Sequence, residues 1–162
     1  MSVTIRNANE KDLSDIIQVA RKSWHATYQG IIPVAIQNRF LDMAYSDQQM
    51  KRRLDGSYLY VAEVDGGIVG FANFSPVKEG GEVELGAIYL LPDQQGQGAG
   101  TLLLQKGIAD IPEIKTVYIN VEKENQTGLL FYKAKGFQLV DEFDDDFDGH
   151  ILKTIRMVLK VK

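Results

Sequence analysis

Three glycines, Gly96, Gly98 and Gly100, fall within five positions of the segment LPDQQGQGAGTLLL, residues 91–104. An apolar run with helical spacing follows directly, so the glycines lie where a loop becomes a helix. Amides at the start of a helix point the same way, and the helix dipole adds partial positive charge, so together they bind phosphate. A strand-to-helix turn without a ligand is the alternative, but it needs fewer glycines than these. The segment therefore predicts a phosphate site at a helix N-terminus.

The two best-known glycine loops do not fit this segment. A P-loop ends in Gly-Lys-Ser/Thr, whereas here Gly100 is followed by Thr101 and Leu102. A dinucleotide fingerprint has the spacing GxGxxG, and its third glycine would fall at Thr101 or Leu103. The loop therefore predicts neither a nucleoside triphosphate nor a dinucleotide.

Composition narrows the class of protein further. The chain has 162 residues, of which 44% are hydrophobic and 25% charged, so we expect one globular domain over residues 1–162. It has no cysteine, which excludes disulfides, thiolate nucleophiles and Cys-ligated zinc and fits a reducing compartment. MSVTIRNANE has no apolar signal core and no run reaches membrane-spanning length, so the sequence predicts a cytoplasmic protein without a membrane partner. The formal net charge of −4 argues against a protein that binds nucleic-acid phosphates.

The spacing of apolar residues predicts a mixed sheet with helices on its faces. Strands are predicted at residues 3–6, 58–64, 68–74, 82–91, 116–122, 137–143 and 151–161. Helices are predicted after Asn9, after Pro33, and over residues 47–56, 101–110 and 125–135. Strand 82–91 is expected to have one face made of Val83, Leu85, Ala87, Tyr89 and Leu91, and its Gly86 predicts a bulge or a close backbone neighbour. This order of elements is not that of an alternating doubly wound fold.

Two motifs together resemble the signatures of one family. Gln95-x-x-Gly98-x-Gly100 opens a helix, and NQTGLLFYKAKGF, residues 125–137, has an Asn, a Tyr seven residues later and Gly-Phe four and five beyond. In this order they resemble the GNAT superfamily of acetyl-CoA-dependent N-acyltransferases. The resemblance implies an α/β fold with a largely antiparallel central sheet of about six to seven strands flanked by about four helices. It also implies acetyl-CoA as cosubstrate, whose diphosphate the glycine loop would hold.

The resemblance also implies where this cosubstrate binds. Amides of residues 96–101 would hold the diphosphate, and IYL, residues 88–90, would pair with the pantetheine arm like an added strand. An amide near Leu90 would face the thioester carbonyl. Asn125 would bind the cofactor arm, cap the helix that it opens, or do both. The residues expected to contact the cosubstrate are Ile88, Tyr89, Leu90, Gln95, Gly96, Gln97, Gly98, Ala99, Gly100, Thr101, Asn125 and Tyr132.

Catalysis is expected to need a proton donor and a proton acceptor. By resemblance Tyr132 is the general acid that protonates the leaving CoA sulfur, and a packing aromatic is its alternative role. A free amine with a pKa near ~10 is mostly protonated at neutral pH, so a proton must be removed. Glu84, eleven residues before Gln95, stands where several family members have a base, and Glu82 on the same strand face could replace it. A solvated strand carboxylate is the alternative, and a water chain could then serve as the base. Because cysteine is absent, direct transfer in a ternary complex is expected.

The acceptor is expected to be a small-molecule amine. In SWHATYQGIIP, residues 23–33, His25 and Tyr28 are candidates for lining the acceptor cleft with Glu82 and Glu84, while Trp24 continues an apolar stripe and is expected in the core. DEFDDDFDGH, residues 141–150, places six carboxylates in eight residues, either as a solvated hairpin tip or as an acidic rim that attracts a polyamine. It lacks the final glutamate of a calcium loop, and no metal is expected.

Alternative functions stay open at this point. A protein N-terminal or lysine acetyltransferase would need an open groove for a peptide, which the sequence does not show. A non-catalytic acyl-CoA-binding module would keep the loop without the chemistry, although Tyr132 speaks against it. Homodimers are common in the family, but no segment of this chain demonstrates one.

Overall fold

The computed structural model describes residues 2–161. Its strands are β1 (Thr4–Asn7), β2 (Tyr58–Val64), β3 (Gly67–Phe74), β4 (Glu82–Leu90), β5 (Thr116–Glu122), β6 (Gln138–Phe147) and β7 (His150–Lys160). Within the described residues they form one seven-stranded sheet in the order β1-β2-β3-β4-β5-β7-β6. Neighbouring strands are antiparallel except β4 and β5, which pair in parallel. The expected mixed, largely antiparallel sheet is confirmed.

Five α-helices cover the two faces of this sheet within residues 2–161. They are α1 (Leu13–Tyr28), α2 (Val34–Ala44), α3 (Asp47–Gly56), α4 (Ala99–Asp110) and α5 (Gln126–Ala134). They correspond to the five helices predicted from apolar spacing and are one more than the number of about four that the family resemblance implied. Helices α1 to α3 pack on one face, which we call the α1 face, and α4 and α5 pack on the other, the α4 face. None of the described helices is long and apolar enough to cross a bilayer.

Local sequence explains where the first helical segment begins. The Asn9 side chain accepts a hydrogen bond from the Lys11 amide, and the Asp12 side chain accepts one from the Asn9 amide. This reciprocal capping satisfies two backbone donors that a helix start leaves unpaired. The short 3-10 turn at Glu10–Asp12 then continues into α1, whose Trp24 is buried in the core, as expected.

A bulge in β4 changes which side chains share a face of the sheet. Asn73 on β3 lies opposite Ala87, whereas Phe74 lies opposite Leu85, so Gly86 is the extra residue. The bulge predicted at Gly86 is confirmed. The prediction that Val83, Leu85, Ala87, Tyr89 and Leu91 share one face was wrong, because an inserted residue reverses the alternation. Val83 and Leu85 pack on the α4 face, while Ala87 and Tyr89 pack on the α1 face.

The sheet opens between β4 and β5 after Glu84. Their parallel pairing covers only Glu82–Glu84 against Thr116–Tyr118. Residues 85–90 of β4 therefore present to β5 a backbone edge without a strand partner, while their other edge pairs with β3. An unpaired edge is a row of hydrogen-bonding groups that an extended ligand can use.

The acidic segment lies on a strand rather than at a hairpin tip. Strand β6 runs to Phe147, well beyond the predicted end at residue 143, and the turn itself is formed by Asp148 and Gly149. The expected hairpin tip at 141–148 is corrected, because antiparallel pairing with β7 continues to Phe147 and His150. The six carboxylates of the segment are nevertheless all exposed, as expected of a solvated segment. This extension brings acidic residues alongside the body of the sheet.

Candidate active site

A cavity of about 660 Å³ lies at the opening between β4 and β5. The end of α1, the second half of β4, the loop before α4, the end of β5 and helix α5 all contribute to its wall. Among the residues expected at the site, it is lined by Tyr28, Ile88, Tyr89, Leu90, Gln95, Gly96, Gly98, Gly100, Thr101, Asn125 and Tyr132. The structure thus brings together motifs from four separate parts of the chain. Gln97 and Ala99 belong to the loop but are not among the lining residues.

The glycine loop presents free backbone amides to this cavity. The first hydrogen bond of α4 runs from the Leu102 amide to the Gly98 carbonyl at 3.1 Å, and the amides of residues 96–101 have no backbone partner within residues 2–161. Gly96 and Gly98 have φ values of +81° and +88°, a region that L side chains rarely adopt. A Cβ added at either would meet no atom within 4 Å, so the space beside the loop is open. These features fit a phosphate group at the start of α4.

The absence of a side chain at Gly100 lets α4 pack close to α5. A Cβ on Gly100 would lie 3.2 Å from the Phe131 ring, so a larger residue there would push the ring away by a few tenths of an ångström. At the start of α5 the Asn125 side chain accepts a hydrogen bond from the Gly128 amide at 3.0 Å. Asn125 therefore caps the helix while it lines the cavity, which agrees with either of its expected roles.

Tyr132 lies at the cavity as a buried phenol. Its ring packs between those of Phe131 and Phe137, with centroid distances of 5.3 and 5.4 Å. Burial raises the pKa of the Tyr132 hydroxyl, and the negative charge of Glu122 raises it further. The hydroxyl therefore stays protonated at neutral pH and can donate a proton.

Glu84 is engaged away from this cavity. Both of its carboxylate oxygens accept hydrogen bonds from Arg156 on β7, one of them at 3.3 Å from Nη1. Arg156 also donates to the Asn120 side chain at 3.0 Å and stacks over the Tyr118 ring at 4.5 Å. Neither Glu84 nor the exposed Glu82 lines the cavity. The structure therefore does not bring the two expected strand carboxylates to Tyr132.

Glu122, which the sequence did not single out, does line the cavity. The Tyr28 hydroxyl donates a hydrogen bond to its Oε2 at 2.6 Å, joining the end of α1 to the end of β5. Burial raises the pKa of the Glu122 carboxyl, the hydrogen bond from Tyr28 lowers it, and the charge of Asp145 adds to the rise. Its position at the end of a strand just before NQTGLLFYKAKGF was the only signal in the sequence. Its partner is 94 residues away.

His25 serves the α1–α2 connection rather than the cavity wall. Its Nδ1 lies 2.9 Å from Gln37 Oε1, which can only accept, so the proton is on the histidine nitrogen. The fully buried Gln37 donates in turn to the carbonyls of Tyr28 and Ile32. Of the two expected acceptor residues on this segment, Tyr28 lines the cavity and His25 does not.

Known proteins are similar to this chain in sequence and in fold. An uncharacterised N-acetyltransferase of Bacillus subtilis strain 168, YuaI, is 35% identical over 159 residues, covering 94% of this chain and 90% of YuaI. Spermidine N(1)-acetyltransferase of Thermoplasma acidophilum is 30% identical over 156 residues, covering 91% of this chain and 95% of that protein. The crystal structure of PaiA N-acetyltransferase from Thermoplasma acidophilum in complex with coenzyme A superposes with a TM-score of 0.84 at 26% identity, over 99% of each chain.

The family itself is identified over most of the sequence. The model of the acetyltransferase (GNAT) family matches residues 18–137, which include the glycine loop, the open edge of β4 and Tyr132. Free amides at the start of α4, open space beside them and an unpaired strand edge fit coenzyme A on physical grounds as well. The chain therefore belongs to the GNAT family and is an acetyl-CoA-dependent N-acetyltransferase.

Proposed function

We propose that this protein transfers the acetyl group of acetyl-CoA to a primary amine by direct attack in a ternary complex, and that the acceptor is a small amine or polyamine. The observation that supports this most is the arrangement of one cavity. The loop of Gly96 and Gly98, the second half of β4 and Tyr132 all line it. A nucleophile other than the acceptor is not needed, and the chain has no cysteine to form an acetyl-thiol.

Each group in this arrangement has a defined task in the proposal. The amides of residues 96–101 bind the diphosphate, and the backbone of residues 88–90 pairs with the pantetheine arm. An amide near Leu90 faces the thioester carbonyl and stabilises negative charge on its oxygen. The Tyr132 hydroxyl, kept protonated by burial, donates its proton to the departing sulfur.

The acceptor class follows from the charges beside the cavity. Glu122 lines it, and Asp145 on β6 is close enough for its charge to raise the pKa of Glu122. Three other carboxylates of the acidic segment are held in ion pairs, with Glu142, Asp144 and Asp148 bound to Lys123, Lys153 and Arg39. Within residues 2–161 no ion pair compensates Glu122, Glu124 or Asp145, and uncompensated carboxylates at a cavity favour a cationic acceptor. The similar protein from Thermoplasma acidophilum is a spermidine N(1)-acetyltransferase, which supports a polyamine.

An amine panel with detection of the CoA thiol tests the proposal. The panel includes spermidine, spermine, monoamines, a lysine peptide and a peptide with a free N-terminus, and calorimetry with CoA and acetyl-CoA accompanies it. We expect thiol release with small amines and a higher kcat/KM for polyamines. Turnover of peptides alone would replace the proposed acceptor with a protein substrate. Binding of acetyl-CoA without thiol release from any acceptor would contradict the proposed activity. The cytoplasmic location and the homodimer stay predictions.

A further inference from the structure

Glu122 is a carboxylate at the cavity that no cation neutralises. The Tyr28 hydroxyl donates a hydrogen bond to Oε2 of Glu122. No lysine or arginine within residues 2–161 forms an ion pair with Glu122. Glu122 is half-buried, and the hydrogen bond from Tyr28 replaces only part of the hydration that a partly buried carboxylate without a cationic partner loses. A protonated amine that enters the cavity would supply the missing positive charge.

Glu84 is held in an ion pair away from the cavity, unlike Glu122. Its two oxygens are both held by the Arg156 guanidinium, which is itself fixed by Asn120 and Tyr118. To act as a base, Glu84 would have to leave this ion pair and reach a cavity that it does not line.

We propose that Glu122 is the catalytic base, that it binds the ammonium group of the acceptor and takes its proton, and that Tyr28 is a positioning residue that holds the Glu122 carboxylate. This proposal rests on the proposed acetyl transfer. Tyr28 reaches Glu122 from the end of α1, and Tyr132 reaches the same cavity from α5. Base and acid thus lie on different elements around one cavity, with the charge of Glu122 acting on Tyr132.

The protons balance across the proposed step. The ammonium nitrogen gives its first proton to Glu122, and its freed lone pair then forms the C–N bond with the acetyl carbon as the C–S bond breaks. Tyr132 donates the proton that ends on the sulfur. The nitrogen loses a second proton as it becomes an amide nitrogen, and this proton restores Tyr132. The proton on Glu122 passes to solvent, so one acetyl group moves and one proton is released.

The pKa shift of Glu122 and its hydrogen bond from Tyr28 agree with the role of Glu122 as a base. Burial brings the pKa of Glu122 upward from the ordinary carboxylate value, toward the range where a base works best near neutral pH. The hydrogen bond from Tyr28 opposes this rise because it stabilises the ionised form. Removal of the Tyr28 hydroxyl is therefore expected to raise the pKa of Glu122 further.

Two variants and a control test the proposal through pH profiles of kcat/KM with the best amine of the panel. Glu122→Gln is expected to lose about 10²- to 10⁴-fold at neutral pH, the usual range for a lost general base. Its rate should recover as the pH rises toward ~10, where the free amine becomes abundant. Tyr28→Phe should move the acidic limb to higher pH. Glu79→Gln, which removes one charge from an exposed position that does not line the cavity, is the control and should keep the wild-type limb.

The outcomes separate this proposal from the proposed activity. If the wild-type protein releases thiol and Glu122→Gln keeps its rate and acidic limb, Glu122 is not the base although acetyl transfer stands. If Glu84→Gln instead abolishes the acidic limb, the base is Glu84. If Glu122→Gln does not fold, Tyr28→Phe and Glu122→Asp decide, and an unshifted limb in both overturns the proposal. Absence of thiol release from the wild-type protein contradicts the proposed activity itself.

Discussion

At the scale of single residues, burial raises the pKa of two side chains at the cavity and thereby suits one as a proton donor and the other as a proton acceptor. It raises the pKa of both the Tyr132 phenol and the Glu122 carboxyl, since both charged forms are disfavoured away from water. The phenol thereby stays a proton donor, while the carboxylate becomes a stronger proton acceptor. A donor and an acceptor at one cavity are what amine acetylation requires.

Replacement of Tyr132 by phenylalanine isolates the proton donor. The ring contacts with Phe131 and Phe137 remain, because only the hydroxyl is removed. We expect kcat to fall by about 10²-fold or more while the Kd of acetyl-CoA stays within about twofold. Steady-state kinetics and calorimetry measure the two quantities. An unchanged kcat, with chemistry shown to be rate-limiting, would leave Tyr132 as a packing residue.

The raised pKa of Glu122 also has a consequence for stability. Below the ordinary carboxyl pKa the residue is protonated in both the folded and the unfolded state, so its burial there costs no ionisation energy. As the pH rises through the folded pKa, the ionised form becomes costly and stability is lost. Glu122→Gln should therefore match the wild-type Tm near pH 4 and exceed it at pH 7. A Tm difference that shrinks with increasing pH would show that the pKa is not raised. The exposed Glu79→Gln variant is the reference.

At the scale of elements, the loop before α4 has a shape that only glycine permits at its critical positions. Gly98 is the N-cap of α4, has a φ of +88° and lines the cavity. One residue therefore both ends the loop and starts the helix whose first amides are expected to bind phosphate. A substitution at Gly98 is therefore expected to weaken ligand binding because it changes the backbone conformation.

Gly98→Ala is expected to weaken acetyl-CoA binding by about tenfold or more, because strain at positive φ and a methyl group beside the amides both disfavour the bound form. Gly66→Ala in the β2–β3 turn is a matched control, with a φ of +82° and nothing within 4 Å of its added Cβ. Both variants should lose similar stability in thermal melts. Only Gly98→Ala should change the Kd measured by calorimetry, and equal Kd values would disprove the role of the loop.

At the scale of the whole molecule, the long β6–β7 hairpin folds back onto the first two helices. Phe147 stacks with Trp24 at 5.9 Å and packs against Phe40 at 5.2 Å between ring centroids. Asp148 pairs with Arg39, and the ring of His150 hydrogen-bonds the Ile31 carbonyl at 3.1 Å. The hairpin thus holds β6, with Asp145, beside the end of α1 that bears Tyr28.

Loss of this aromatic contact is expected to affect the acceptor more than acetyl-CoA. Phe147→Ala should cost about 2 kcal/mol of unfolding free energy, less than a fully buried phenylalanine, because its ring is only half-buried. It should raise KM for the amine several-fold and leave KM for acetyl-CoA nearly unchanged. Denaturant unfolding and kinetics measure both effects. Ile151→Ala, at an exposed position of the same hairpin, is the control. Equal changes in the two KM values would argue against a hairpin contribution to acceptor binding.

The local sequence alone predicted the structural features that depend on residues only a few positions apart. The glycine loop, the start of α5 at Asn125 and the bulge at Gly86 could all be predicted because backbone conformation and capping are set within a few positions. The two motifs, read in order, also predicted the family, which the comparisons confirm. The face assignment of β4 failed, since the bulge was predicted without following its effect on the alternation beyond it.

Only the tertiary structure decided which distant side chains meet. Glu84 and Arg156 are 72 residues apart, and Tyr28 and Glu122 are 94 apart, so neither pair leaves a periodic trace in the sequence. Strand order and register place β7 beside β5 and bring Arg156 opposite Asn120, within reach of Glu84. The same register extends β6 far enough to align its carboxylates with the sheet. Such proximity is set by long-range strand pairing and helix packing, which determine whether a carboxylate meets a cation or faces a cavity.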